Sequence, residues 1–289
     1  MNIKKLIFCA FIVTTFSYAQ TDSLDSTLQD SSSVITSGLF KKNNDLIRVA
    51  DAFAYTMTAP IRWEESDWLT AGGVLGGTMI LSLADKPMHD LMQNNRSKFS
   101  DYLGEFGYHN GKPYAAFGVA GGFYAVGLII DDEWTRETAA ILTSAYATSG
   151  ILQSALKQIV GRARPTEGLG NYEFRPFKND AGFSSFPSGH SQIAFVTAVV
   201  LAERVDQTWL KAVFYTGAAV TMASRMYGNA HWLTDVTFGS ILGYFCTQTV
   251  IKRFEQNKYG KPFSGYTNKN KINWQIVPSY NGIGLIGTF

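Results

Sequence analysis

Six apolar stretches without charged residues alternate with polar segments along most of the chain. They span residues 68–84, 113–130, 138–156, 191–202, 212–224 and 236–251. Taken together they are rich in alanine and glycine, which lets helices approach one another closely. This pattern predicts an all-α fold, a bundle of about six core helices.

A shorter amphipathic segment precedes the first apolar stretch. Within residues 45–58, Leu46, Val49, Phe53 and Met57 recur at helical spacing, and Pro60 follows. The spacing predicts a helix whose apolar stripe packs against the bundle, and the proline predicts its end.

The amino-terminal residues have the pattern of a targeting segment. Residues 1–19 combine two lysines, an apolar core and the sequence Ser17-Tyr18-Ala19. This predicts a signal peptide cleaved after Ala19, and hence export. Residues 20–43 are polar and poor in large apolar side chains, which predicts a flexible linker. After cleavage Cys246 would be the single cysteine, so no internal disulfide is expected.

The composition changes again after the last apolar stretch. We place the helical domain at 44–255 and a linker and tail at 256–289. The tail contains strand-like sequence around Tyr280-Asn281-Gly282, a typical hairpin turn, although Pro278 weakens the first strand. A short β-hairpin-like tail is therefore expected.

Three short segments within residues 157–235 carry reactive side chains. In the last, His231 and Asp235 are spaced i, i+4, so on a helix they would share one face. A carboxylate that accepts a hydrogen bond from one ring nitrogen leaves the other free to attack or to take a proton. By itself, the pair is equally compatible with an incidental contact at a capped helix.

The middle segment, Pro187-Ser188-Gly189-His190, leads directly into an apolar stretch. It predicts a turn that opens a helix, where unpaired backbone amides favour an anion such as phosphate. His190 is placed to hand a proton to a leaving oxygen. An ordinary capping turn is the alternative.

The first segment supplies positive charge. Lys157 and Arg164 flank a glycine, and Pro165 is expected to end the helix. Arg225, from the last segment, is a third candidate cation for phosphate oxygens. Arg162 is a further candidate for this task, but as an interleaved basic residue we assign it to solvent. A solvated basic face is the alternative for the whole set.

Together the three segments resemble the signature of the type 2 phosphatidic acid phosphatase superfamily. That signature is Lys, six residues, Arg-Pro; then Pro-Ser-Gly-His; then Ser-Arg, five residues, His, three residues, Asp. Every position matches. The superfamily also includes class A bacterial acid phosphatases and vanadium-dependent haloperoxidases.

The resemblance implies a role for each matching residue. His231 would be the nucleophile that forms a phosphohistidine, Asp235 would orient it, and His190 would be the general acid and base. A separate group would bind phosphate oxygens: Lys157, Arg164, Ser188, Gly189 and Arg225. The active site would lie at one end of the bundle, without a metal or other cofactor, although vanadate could occupy the phosphate site. A vanadate-dependent haloperoxidase is the alternative function.

The expected partner is a phosphorylated small molecule or lipid, with a membrane surface as an open second partner. The net charge of +2 gives no case for nucleic acid, and the oligomeric state stays open. A membrane span needs about 20 apolar residues, and the stretches at 191–202 and 212–224 are shorter. We therefore expect a periplasmic protein, soluble or peripherally membrane-bound, with an integral membrane protein as the alternative.

Two further regions complete the expectations. His89 and His109 fall between apolar stretches and are assigned to the surface. The segment 174–186, which joins the first two reactive segments and is rich in phenylalanine, is expected to line the mouth of the site.

Overall fold

The computed structural model describes residues 44–259, 273–279 and 282–288. The predicted signal peptide and the linker 20–43 lie outside the described residues, as does most of the predicted linker before the tail.

The described part of the bundle contains nine α-helices. They are α1 (Asp45–Met57), α2 (Glu65–Leu81), α3 (Asp85–Asn94), α4 (Lys98–Asn110), α5 (Pro113–Ile129), α6 (Glu133–Val160), α7 (Gly189–Glu203), α8 (Thr208–Tyr227) and α9 (Leu233–Tyr259). In the tail, β1 (Asn273–Ser279) pairs antiparallel with β2 (Gly282–Thr288), with Ser279 opposite Gly282. The all-α fold class is as the apolar stretches predict.

Helix α7 lies at the centre of the bundle and packs against α6, α8 and α9. Its side chains Val196, Val199 and Val200 are fully buried. Leu142 of α6 and Val250 of α9 are buried in the same core. Burial of such side chains, each worth about 1.5–3 kcal/mol, stabilises the arrangement of the helices that carry the reactive segments.

Helix α6 has a defined residue at each end. At its start the Asp132 carboxylate accepts a hydrogen bond from the Thr135 amide at 2.7 Å. It ends at Gly161, whose φ of +56° belongs to the left-handed region. A Cβ at Gly161 would lie 2.0 Å from the carbonyl oxygen of Arg175. Glycine is thus needed twice here, for the backbone angle and for the close return of the following segment.

Helix α1 packs on α6 and α9, but not only through its predicted apolar stripe. Leu46 is 82% exposed, whereas Arg48 is buried. An Arg48 guanidinium nitrogen donates to Glu137 of α6 at 2.6 Å, and Arg204 at the end of α7 donates to the same carboxylate at 2.9 Å. An ion-pair network therefore fixes α1, because buried charges need partners.

Two helices, α3 and α4, were not predicted. Both carry charged residues and lie between charge-free stretches, so a search for long apolar segments passes over them. Charge also hides the first turns of α6, which starts at Glu133 and not at the predicted residue 138. Helix α9 continues to Tyr259, beyond the predicted boundary at residue 255.

Large apolar side chains remain exposed on α2, α4 and α5. Examples are Met79 at 74%, Tyr102 at 74% and Phe117 at 77% exposure. Among the described residues, none of the helices combines the length and hydropathy needed to cross a membrane.

Glu137 provides a test of the buried network. Replacing it with alanine should lower the free energy of unfolding by about 3–5 kcal/mol, because Arg48 loses its shortest ion pair inside the protein. Denaturant unfolding of wild type and Glu137→Ala measures this. The control is Lys86→Ala, which breaks an exposed pair with Asp90 and should leave the free energy of unfolding nearly unchanged, because solvent screens such pairs. Equal losses in the two variants would contradict the assignment.

Candidate active site

The three reactive segments meet at one end of the bundle. The first follows the last turns of α6, the second opens α7, and the third joins α8 to α9. The Ser188 amide donates to the main-chain oxygen of Asp235 at 2.9 Å, and an Arg164 guanidinium nitrogen lies 3.4 Å from Nε2 of His231. Residues far apart in the chain are therefore in direct contact.

His231 is buried but does not lie on a helix, as the i, i+4 argument assumed. Helix α9 begins at Leu233, and His231 belongs to the turn before it. Its Nδ1 faces Oδ2 of Asp235 at 3.7 Å, an ion-pair distance longer than a hydrogen bond. Its Nε2 faces Arg164. Since a guanidinium only donates, this arrangement favours a proton on Nδ1 and an unprotonated Nε2 whose lone pair faces Arg164.

Asp235 is fully buried, and three groups hold its carboxylate. Oδ2 accepts from the Ser185 hydroxyl at 2.6 Å and from the Trp232 amide at 2.8 Å. Oδ1 accepts from Arg162 at 2.7 Å. Burial alone would raise the pKa of Asp235, but neighbouring His231, Arg162 and Ser185 hold that pKa below its usual range. The carboxylate is thus ionised and fixed in orientation.

Arg162 corrects the sequence interpretation, which assigned it to solvent. It is 3% exposed. Besides Asp235 it donates to Oδ2 of Asp85 at 2.6 Å and to the Thr234 hydroxyl at 2.6 Å. Asp85, at the start of α3, accepts in turn from the Thr234 amide at 2.8 Å. One guanidinium therefore joins two buried carboxylates and ties α3 to the start of α9.

Asp85 was missed altogether, because the sequence Asp85-Lys86-Pro87 was interpreted as a polar separator. The available signal is its position, a carboxylate immediately after a long charge-free stretch. A charge there either faces solvent at a helix end or is buried against a partner, and the partner lies 77 residues away. No local pattern distinguishes the two cases.

The turn Pro187-Ser188-Gly189-His190 opens α7 as predicted. Ser188 is fully buried and its hydroxyl accepts a hydrogen bond from Ser191 at 3.2 Å. The amides of the first helical turn have no carbonyl partner within the helix. The turn touches α9 closely, since a Cβ at Gly239 would lie 2.4 Å from the Ser188 carbonyl oxygen. The turn is therefore held by its contact with a neighbouring helix.

His190 faces the same region, and its Nε2 has no hydrogen-bond partner among the described residues. Burial lowers its pKa to about 3, and the charges of Arg225, His231, Lys112 and Arg164 act in the same direction. Burial also lowers the pKa of His231 to about 4, against the opposing effect of Asp235. Both imidazoles are consequently neutral at neutral pH.

Three cations surround the two histidines. Lys157 and Arg164 donate to the Ser184 carbonyl oxygen, and Arg164 also donates to Ala230 at 3.0 Å. Arg225 is buried, and its Nε has no hydrogen-bond partner in the described part of the chain. Burial, with the nearby Arg164 charge, lowers the pKa of Lys157 to about 8. No carboxylate within salt-bridge distance neutralises these three cations in the described residues.

The segment 174–186 forms part of the wall, as expected. Its carbonyl oxygens at Ala181 and Ser184 anchor Arg164, and Phe183 is buried.

Of the two other histidines, His109 is exposed, as predicted. His89 is half-buried and its Nε2 bonds Asn229 at 2.7 Å, so its assignment to the surface was wrong. The α3 helix that the sequence analysis missed carries it inward.

The arrangement can bind a tetrahedral anion between a nucleophile and a proton donor. The cations and free amides suit the anion's oxygens. Nε2 of His231 is available as a nucleophile, and His190 as an acid or base. Within residues 44–259 and the two strands, no group of three or more His, Cys, Asp or Glu side chains is placed to hold a metal ion.

The chain is similar in sequence to known proteins. The family model described as the PAP2 superfamily matches residues 138–259. The lipid A 1-phosphatase of Rhizobium etli is 33% identical over 118 residues, 39% of this chain and 49% of that protein. The undecaprenyl-diphosphatase of Sulfolobus acidocaldarius is 28% identical over 110 residues, 38% of this chain and 52% of that protein. The chain thus spans about half the length of these curated relatives.

A solved structure shares the fold. It is described as the first transmembrane PAP2-type phosphatidylglycerolphosphate phosphatase, from Bacillus subtilis. The match has a TM-score of 0.50 and 20% identity, and covers 65% of this chain and 98% of that one.

The lowered pKa of His231 predicts a pH-dependent stability. Below an unfolded-state pKa of about 6.5, the unfolded chain binds a proton that folded His231 does not bind until about pH 4. The free energy of unfolding should therefore decrease as the pH is lowered, by about 2 kcal/mol between pH 6.5 and pH 5 for this residue. Denaturant unfolding across this range should show a flatter profile for His231→Gln. The exposed His109→Gln is the control, and parallel profiles for wild type and His231→Gln would refute the expectation.

Proposed function

We propose that the protein is a phosphatase that hydrolyses phosphoric esters of lipids, and the match of residues 138–259 to the model of the PAP2 superfamily supports this proposal. One observation carries the proposal. Two neutral imidazoles meet three cations that have no carboxylate partner within salt-bridge distance in the described residues. Concentrated positive charge is costly unless an anion binds there.

The proposed reaction has two steps. In the first, His190 takes up a proton as the phosphate dianion binds. Nε2 of His231 then attacks phosphorus, the bond to the leaving oxygen breaks, and His190 gives that oxygen its proton. In the second, His190 takes a proton from water, and the water oxygen replaces Nε2 of His231 on phosphorus. The products are the alcohol or lower phosphate and inorganic phosphate, so atoms and protons balance.

The electrostatics suit these roles. A nucleophilic imidazole must be neutral, and burial keeps His231 so. Lys157, Arg164 and Arg225 spread positive charge over the non-bridging oxygens, where negative charge is distributed in the transition state. With three cations in place we propose that hydrolysis needs no metal ion. Asp235, held by Arg162 and Ser185, faces Nδ1 and stabilises the positive charge that develops on His231.

Two features support a lipid as substrate. The relatives' names refer to lipid A and to an undecaprenyl diphosphate. Beside the site, a cleft of about 520 Å³ is lined mainly by apolar and aromatic groups, among them Tyr102, Phe106 and Tyr114. Exposed apolar side chains on α4 and α5 would face lipid, so we propose that the enzyme works at a membrane surface.

The first test is hydrolysis of a short-chain lipid phosphate in the presence of EDTA. Wild type should release inorganic phosphate, while His190→Ala and His231→Ala should lose about 100- to 10,000-fold in kcat/KM. Lys86→Ala, which removes an exposed side chain on α3 away from this cleft, is the control. Wild-type activity no greater than that of either site variant would overturn the assignment. Halide oxidation by peroxide with added vanadate, in place of hydrolysis, would favour a haloperoxidase.

A second test concerns the proton on His190. Burial, together with the surrounding cations, lowers its pKa to about 3, so a bound dianion, which offsets the cations, should raise that pKa and draw in a proton. Tungstate, a tetrahedral dianion that does not itself titrate near neutral pH, should bind with net proton uptake at about pH 6. Calorimetry in buffers of different ionisation enthalpy measures the uptake. His190→Gln should abolish it, and uptake that persists in this variant would assign the proton elsewhere.

A further inference from the structure

Part of the wall of the site comes from outside the region that matches the family model. The last turn of α4 and the short connection to α5 lie against His190. A Cβ at Gly111 would be 2.6 Å from the Cβ of His190 and 2.8 Å from its carbonyl oxygen. The two backbones are therefore in direct contact, and the side chains next to Gly111 are placed at the site.

Tyr108 connects this wall to the site. Its ring stacks on the His190 imidazole, with centroids 5.5 Å apart and an interplanar angle of 26°. The guanidinium carbon of Arg225 lies 5.2 Å from the centre of the Tyr108 ring, and Nζ of Lys112 lies 4.2 Å from it. One aromatic ring thus holds two cations next to the proposed general acid.

Lys112 is a fourth cation, beyond the three that the motifs supply. It makes no salt bridge to a carboxylate in the described part of the chain. Its charge is felt at the site, since it contributes to the lowered pKa of His190. Lys112 and Arg225 both lie over the Tyr108 ring, so this wall carries more positive charge than the motifs alone supply, and a second negative group on the substrate would offset that charge.

The position of Lys112 indicates which part of the substrate it would meet. In the proposed reaction, His231 attacks from one side of phosphorus and His190 protonates the leaving oxygen on the other. Tyr108 stacks on His190, and Lys112 lies over Tyr108. The lysine therefore lies on the His190 side of the site, which is the leaving-group side in the proposed reaction.

We propose that Tyr108 and Lys112 form a subsite for a second phosphate, which makes a lipid diphosphate the preferred substrate. This inference rests on the phosphatase function proposed above. Phosphorus of the terminal phosphate bonds to Nε2 of His231 as its bond to the bridging oxygen breaks. Lys112 binds the remaining phosphate, which leaves as the lipid monophosphate, and water then releases inorganic phosphate from His231.

The test compares a prenyl diphosphate with the prenyl monophosphate of the same chain length. Wild type should have the higher kcat/KM on the diphosphate. In Lys112→Gln the ratio of the two kcat/KM values should fall about 10- to 100-fold, as expected for loss of a charge-assisted contact. Lys112→Arg, which keeps the charge, should retain most of the ratio. Lys86→Gln, at an exposed lysine on α3, is the matched control and should leave it unchanged.

A binding measurement checks the same idea without turnover. Methylenebisphosphonate should inhibit wild type more strongly than phosphate does, and Lys112→Gln should remove the difference. An unchanged ratio in Lys112→Gln, or equal losses on both substrates, would show that Lys112 only supports the Tyr108 ring, and would overturn the subsite. Wild type that hydrolyses the monophosphate but not the diphosphate would overturn the subsite alone. Wild type inactive on both substrates would overturn the phosphatase function itself.

Discussion

The geometry of the site depends on one buried guanidinium. Arg162 donates to Asp85 at 2.6 Å and to Asp235 at 2.7 Å, and both carboxylates are fully buried. Such an arrangement is stable only when every charge is partnered, because each unpaired ion in the interior costs several kcal/mol. The bonds join the start of α3, the segment after α6 and the start of α9. His231 lies in the turn that these contacts hold.

The cations around this neutralised centre differ from Arg162 in their partners. Arg162 has carboxylate partners, whereas Lys157, Arg164 and Arg225 rely on carbonyl oxygens and an aromatic ring. The same residue types therefore serve two purposes within a short distance. Paired charges fix the positions of the reactive groups, and unpaired ones create a positive potential for an anion. Neutral histidines between them are a direct result of that potential and of burial.

Much of this was predictable from the sequence, for identifiable reasons. Long charge-free stretches indicated α2 and α5–α9, since helix burial leaves a strong local signal. The resemblance of the three reactive segments to the superfamily signature implied that His190, His231 and the cations share one site. Arg162 and Asp85 were not predictable, because a buried ion pair between distant segments resembles two solvated charges in the sequence. Helices α3 and α4, and with them Tyr108, were missed because short amphipathic helices lack a long apolar stretch.

Helix α6 acts as a rigid spacer between two charged regions. Glu137 anchors Arg48 and Arg204 near its first turns, and Lys157 reaches the site near its last. Twenty residues separate the two, about 30 Å of continuous helix. Inserting or deleting a single residue between them would rotate one region by about 100° relative to the other. Its length and phase are consequently constrained from both ends, and changes in length along this family of folds are expected in the connecting segments instead.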